Sequence, residues 1–193
     1  MGDETPKGWT TLASDRAYQT RVFDVMRILK RSGTREGDFY VLSGADWTNI
    51  IPVDEQGNVI MIEQFRHGIE RVTLEIPGGL IDPDDASPLE AARRELREET
   101  GYDGTRIVEL GSIHPNPAIQ QNRCHSFLAL DVRRVAEPSP DECEDIIVRP
   151  IPLDRIPSLV ASGEISHALV VVAFSFLALR HPDLFAWPLA WRT

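Results

Sequence analysis

The sequence predicts an α/β fold in which helices pack on a mixed β-sheet. Three features carry this. Short strand-like segments recur as far as Pro150, the helix Ser87 to Thr100 brings its own start and stop signals, and Ile165 to Leu179 is an apolar helical run. The chain has 193 residues, 42% hydrophobic and 26% charged, which suits one domain, or one domain with a short appendage, and a core that needs no staples.

Taken in order, the first twenty residues lack a clear period and read as an arm. Val22 to Leu29 alternates in part and predicts a strand; Asp38 to Leu42 can pair with it across the turn-rich Ser32 to Gly37. This divides the chain into an N-terminal arm and strand region, 1–45, and a main domain, 46–193. Asn49 to Val53, the turn Asp54 to Asn58 and Val59 to Phe65 form a hairpin, and a short strand, Val72 to Ile76, runs into Pro77-Gly78-Gly79. Ser87 can cap the helix that follows, Pro88 fits its first position, Glu90 completes an S-x-x-E box, and Gly101 stops it. Leu89, Ala92 and Leu96 share one side of it. Strands are expected at Ile107 to Ile113, Ser126 to Val132 and Ile146 to Pro150, the last after an acidic, proline-containing loop. Asp154-Arg155 and the surrounding prolines read as a connection. Ile165 to Leu179 is the second helix, and Trp187 and Trp191 read as packing onto a surface or a partner.

Twenty Lys and Arg against thirty Asp and Glu leave a net charge of −10, which excludes a general polyanion-binding surface and with it a nucleic-acid partner. A small anionic ligand is not excluded, because a bound cation reverses the field locally. Two cysteines, Cys124 and Cys143, are too few for a disulfide framework, and with His114 and His125 they form no zinc spacing. The polar, acidic start is no signal peptide, and the longest apolar run, Ala168 to Leu179, is too short to span a bilayer. The expectation is a soluble cytoplasmic protein with no membrane partner.

The chemistry is concentrated in Gly78-Gly79-Leu80-Ile81-Asp82-Pro83-Asp84-Asp85 and the helix after it. Glu95, Glu98 and Glu99 stand at i, i+3 and i+4, so three carboxylates share one helical face near the C-terminal end, where the helix dipole disfavours anions. Arg93, Arg94 and Arg97 can compensate in part, and a hard divalent ion such as Mg²⁺ would supply the rest. The glycines let the backbone come close, so a carbonyl there can add an oxygen ligand.

These residues resemble the Nudix hydrolase family, whose motif is G-x5-E-x7-R-E-U-x-E-E-x-G-U, with U aliphatic or aromatic. Arg94-Glu95-Leu96-Arg97-Glu98-Glu99-Thr100-Gly101-Tyr102 matches every fixed position of the second half. The first half departs: after Gly79 and five intervening residues stands Asp85 rather than Glu, and eight residues rather than seven separate it from Arg94, the extra one lying near Ala86. Asn49 to Val53, Ile62 to His67 and Leu74 to Asp82 are similar to the ADP-ribose and nucleotide-sugar pyrophosphatase branch, as is Pro117, fifteen residues after Tyr102.

The resemblance implies a Nudix α/β/α sandwich with a mixed β-sheet, and an N-terminal strand region that forms or exchanges across a homodimer interface. It implies Mg²⁺-dependent hydrolysis (Mn²⁺ as a substitute) of the pyrophosphate bond of a nucleoside diphosphate linked to a sugar. ADP-ribose is favoured, giving AMP and ribose 5-phosphate; another nucleotide sugar such as GDP-mannose is an alternative. A non-catalytic nucleotide-binding sensor is a third reading, opposed by the retained carboxylates. Glu95 and Glu99 would be the principal metal ligands, with Glu98, Glu144 and the Gly78 carbonyl completing the set and Arg94 bracing the carboxylates. In Asp141-Glu142-Cys143-Glu144-Asp145-Ile146, Glu142 occupies the place of the base. Arg66 suits a phosphate or ribose, and Trp47 or Phe39 can stack on a base. The loop His114 to Asn122, with Pro117 and Gln120, differs from the glycine- and acid-containing loop expected in ADP-ribose enzymes; it would lie over the substrate, its polar amides selecting a different sugar or diphosphate.

Overall fold

Residues 8–141 and 144–188 are described in the computed structural model, and they form two units: the residues up to Ala45 with His114–Arg123, and Asp46–Ile113 with the residues from Cys124 onward. The first is an antiparallel sheet of three strands in the order β1 (Thr10–Gln19), β2 (Asp24–Ser32), β3 (Arg35–Ser43). The arm reading is corrected here, because Thr10–Gln19 is a strand paired along β2. All ten of its residues are exposed, so no buried face imposes an alternating pattern on the sequence. The turn between β2 and β3 is also tighter than expected. Ser32 pairs with Arg35, leaving Gly33-Thr34 as a two-residue loop with Gly33 at φ 61°. The segment from His114 joins β3 through Leu42 N–H to Ile119 O (2.7 Å) and Gln121 Nε2 to Ser43 Oγ (2.6 Å).

The second unit holds β4 (Trp47–Asp54), β5 (Asn58–Arg66), β6 (Arg71–Glu75), α1 (Pro88–Thr100), β7 (Tyr102–Asp103), β8 (Arg106–Ile113), β9 (Cys124–Arg134), β10 (Ile146–Pro152), α2 (Ile156–Ser162) and α3 (Ala168–Arg180). Its sheet runs β10-β5-β4-β9-β7, with β6 also on β5 and β8 also on β9; β4 and β9 are parallel. Each face carries its own core. Ile50, Ile60, Phe127 and Ala129 pack against Ala92 and Leu96 of α1, while Ile51, Val53, Met61 and Leu128 pack against Ile156 and Leu159 of α2 and Val170, Phe174 and Leu177 of α3. Helices on both sides of a mixed sheet are the expected sandwich. The predicted hairpin is present at Val53 opposite Val59.

One helix was hidden in the sequence. Asp154-Arg155 and the prolines around it read as connection, yet Ile156–Ser162 is a helix whose single proline, Pro157, sits in the first turn, where a missing N–H is harmless, and Ile156 and Leu159 are buried. α3 begins at Ala168 rather than Ile165. Trp187 packs edge-on to Phe185, ring centroids 5.2 Å apart; Trp191 lies outside the described residues. No described helix is long and apolar enough to cross a membrane.

Candidate active site

The glycine segment enters the sheet where two strands part. β5 pairs with β4 at the hairpin base, then turns the same edge to β6. The freed edge of β4 is met by the glycine segment: Ile50 N–H donates to Pro77 O, Thr48 N–H to Gly79 O and Ile81 N–H to Asp46 O, each at 2.9 Å. A Cβ on Gly78 would lie 2.3 Å from Thr48 O and 2.7 Å from Asn49 Cα, so a larger residue cannot pass without moving backbone. With the carbonyls of Pro77 and Gly79 turned to β4, alternation along the segment turns Gly78 the other way, and its N–H donates to Glu99 Oε2 at 2.9 Å.

α1 lies against this segment as its end signals predict. Ser87 Oγ accepts from Glu90 N–H (3.2 Å), and Gly101, at φ 74°, closes the helix with its N–H on Arg97 O (2.8 Å). The acidic loop is tied to the same end, with Val135 and Ala136 N–H on Gly101 O and Ser139 N–H on Glu98 O (2.7 Å). Glu144 is half-buried and accepts from Gln64 Nε2 (3.2 Å); Gln64 is buried and its Oε1 has no partner among the described residues. Glu142, the expected base, lies outside the described residues.

The electrostatics are lopsided. Arg94 donates to both Asp85 oxygens (3.2 and 3.0 Å), to Glu95 Oε1 and Glu98 Oε2 (2.9 Å each) and to Leu80 O (3.0 Å), with Asp82 at 3.5 Å. Four carboxylates thus share one guanidinium. Glu99 is 2% exposed, and burial pushes its carboxyl well above the ordinary range despite the Gly78 N–H. Burial also pushes Glu95 up to about 7, against the pull of Arg94. The other two arginines do not compensate: Arg93 and Arg97 both pair with Asp103. Among the described residues no three His, Cys, Asp or Glu side chains are drawn around one point, since Arg94 holds Glu95 and Glu98 while Gly78 holds Glu99. The donor set (oxygen only, anionic and under-compensated) still fits a hard divalent cation.

Asp85 lacks the Glu of the motif, yet it has a clear contact: it clamps Arg94 through two oxygens, and that bond holds its own carboxyl below the usual range. Arg66 is not a lone guanidinium. Its Nε and Nη2 bind Glu75 Oε1 and Oε2 at 2.8 Å each. Glu75, Thr73, Gln64 and His167 were missed by sequence reasoning; the available signal was a charged Glu75 set between Leu74 and Ile76 in a short strand. Trp47 opens β4, half-buried, bridged to Leu80. Pro117 and Gln120 belong to the first unit, as does Phe39, which packs edge-on to Trp9 with centroids 5.1 Å apart. Cys124 is buried, and burial pushes its thiol up to about 12, as an inert core cysteine requires.

Comparison with known proteins bears on the same residues. Residues 46–171 match the family model described as NUDIX domain. An ADP-ribose pyrophosphatase of Bacillus subtilis (strain 168) is 32% identical over 172 residues, 88% of this chain and 92% of that protein. A GDP-mannose pyrophosphatase of Salmonella arizonae is 30% identical over 131 residues, 64% of this chain and 68% of that protein. A crystal structure of an ADP compounds hydrolase superposes with a TM-score of 0.83 at 22% identity, covering 94% of this chain and 98% of its own; that likeness is one of fold.

Proposed function

This chain belongs to the NUDIX domain family and is a Nudix hydrolase, and from that premise we propose that it hydrolyses the pyrophosphate bond of a nucleoside diphosphate linked to a sugar, ADP-ribose to AMP and ribose 5-phosphate being the favoured case. The observation that carries the reading is the under-compensated set Glu95, Glu98 and Glu99 on α1, with Glu99 bonded to Gly78 and Glu95 against Gly79. Nudix hydrolases use divalent metal ions. In this reading Glu95, Glu98, Glu99, Glu144 and the Gly78 carbonyl hold Mg²⁺, with Mn²⁺ as a substitute. When bound, the ion neutralises the diphosphate and lowers the pKa of a bound water.

The chain's own residues do the rest. Arg94 keeps Glu95 and Glu98 aligned while it is itself fixed by Asp85. Glu142 takes the proton of the attacking water. Arg66, 40% exposed beyond its pair with Glu75, takes a phosphate oxygen, and Trp47 offers a face to the base. GDP-mannose is a second substrate reading, supported by the 30% identical pyrophosphatase of that name. The reading includes a homodimer; its support is the exposed edge strand β1 and the exposed Tyr18 and Tyr40 of the same sheet. Light scattering of the purified protein tests that part, and a monomer refutes it.

A panel of nucleotide sugars with Mg²⁺, assayed for released phosphomonoester, tests the function. ADP-ribose is expected to rank first. Tight binding with no turnover of any member would favour the sensor. Glu142→Gln is expected to slow hydrolysis at nearly unchanged KM; if Glu144→Gln alone does so, the base is Glu144.

A further inference from the structure

The α1 carboxylates are not the only charged cluster in this unit. Along β5 and β6, Gln64 faces Thr73 and Ile62 faces Glu75, so Gln64, Arg66, Thr73 and Glu75 emerge on one face of the paired strands. Glu75 is 2% exposed, and every acceptor position of its carboxylate is used. Oε1 accepts from Arg66 Nε (2.8 Å) and Thr73 Oγ1 (2.6 Å); Oε2 accepts from Arg66 Nη2 (2.8 Å) and lies 2.7 Å from His167 Nδ1. Burial alone would raise the Glu75 carboxyl, but the bonds from Arg66, His167 and Thr73 outweigh it and hold the group ionised. An ionised oxygen cannot donate, so Nδ1 carries the proton in the contact with His167.

His167 has no comparable duty to its own helix. It stands at the N-cap of α3 but makes no side-chain capping bond. The Glu75 contact therefore ties the start of α3 to the strand pair that presents Arg66. Among the described residues the bonds of Arg66 to Glu75 use Nε and Nη2, which leaves Nη1 for another anion.

We propose that His167 is a positioning residue: through Glu75 it fixes the Arg66 guanidinium in the orientation that leaves Nη1 for a phosphate oxygen of the substrate. The inference rests on the reading of Arg66 as a phosphate contact. Phenylalanine at this position keeps a ring but removes the donor, whereas asparagine keeps an N–H close to the place of Nδ1. Either change is expected to be tolerated locally, since the His167 side chain is 38% exposed.

The test is steady-state hydrolysis of ADP-ribose with Mg²⁺ by the full chain and by His167→Phe, His167→Asn, Arg66→Ala and the double variant Arg66→Ala/His167→Phe. His167→Phe is expected to raise KM about threefold to tenfold with kcat within about twofold, the scale of one lost hydrogen bond expressed in binding. His167→Asn is expected to return KM to within about twofold of the wild type. In the Arg66→Ala background, His167→Phe is expected to add nothing. An unchanged KM in His167→Phe, or the same penalty with Arg66 absent, overturns the proposal. An unchanged KM in Arg66→Ala instead overturns the phosphate reading, and this inference with it. Nitrogen NMR of the wild-type His167 ring, assigned against His167→Asn, is independent of turnover. A proton held on Nδ1 is expected; a ring protonated on Nε2 alone overturns the proposal whatever the substrate.

Discussion

Gly79 stands directly against Glu95: a Cβ at Gly79 would lie 2.6 Å from Glu95 Oε1, whereas one at its neighbour Gly78 would strike the backbone of Thr48 at 2.3 Å. The two glycines thus serve different ends, one making room for a carboxylate and the other for a strand. Gly79→Ala is expected to fold with little loss of stability, because a side-chain tip can move, yet to shift Glu95 and raise the Mg²⁺ concentration for half-maximal activity by about tenfold. Gly78→Ala is expected to cost about 2–3 kcal/mol of stability. Chemical denaturation and Mg²⁺ titration of activity on both variants check the contrast.

Glu99 is the carboxylate with least compensation. Glu99→Gln is expected to lower kcat by about a hundredfold or more while raising the melting temperature of the metal-free protein, since a desolvated acid is replaced by a neutral amide. Turnover assays and thermal unfolding in EDTA check both halves.

The pH dependence of stability has a definite sign. The carboxyls of Glu95, raised to about 7 from 4.5, and of Glu99, pushed well above the ordinary range by burial, bind more protons in the folded than in the unfolded chain. Their contribution is full below the unfolded value and is lost as pH rises through the folded one. The metal-free protein is therefore expected to melt at lower temperature at pH 8 than at pH 5.5, and saturating Mg²⁺ is expected to flatten that slope. Glu75 does not interfere, because its lowered value makes its contribution fail only in acid. Differential scanning calorimetry across this range, with and without Mg²⁺, is the check.

Asp85 is expected to matter to activity despite departing from the family motif. Removing its bidentate hold on Arg94 frees the guanidinium that aligns Glu95 and Glu98. Asp85→Asn is expected to lower kcat about threefold to tenfold at unchanged KM. Steady-state kinetics on this variant checks it.

How much of this was legible depended on what each segment packs against. α1 was readable to the residue at both ends, because Ser87, Pro88 and Gly101 act locally. β4 and β5 were readable because their residues are buried and the turn between them is short. β1 was not, since a strand exposed along its whole length carries no burial pattern, and α2 was masked by Pro157, which the first helical turn tolerates. At the site, the shared face of the α1 carboxylates followed from helical spacing, and Arg94 as their brace from the resemblance to the family motif. The diversion of Arg93 and Arg97 to Asp103 did not, because it depends on the chain turning into β7 just past the helix. The partners of Arg66 were equally hidden, since Glu75 and His167 are 92 residues apart in sequence and meet only through tertiary packing.

The most direct measurement is a titration of the metal-free protein with Mn²⁺, followed by water-proton relaxation, for the wild type and for a Glu95→Gln/Glu99→Gln variant. The account expects the wild type to bind the ion tightly enough to enhance relaxation and the variant to lose that binding while staying folded. Equal binding by the two proteins would contradict it.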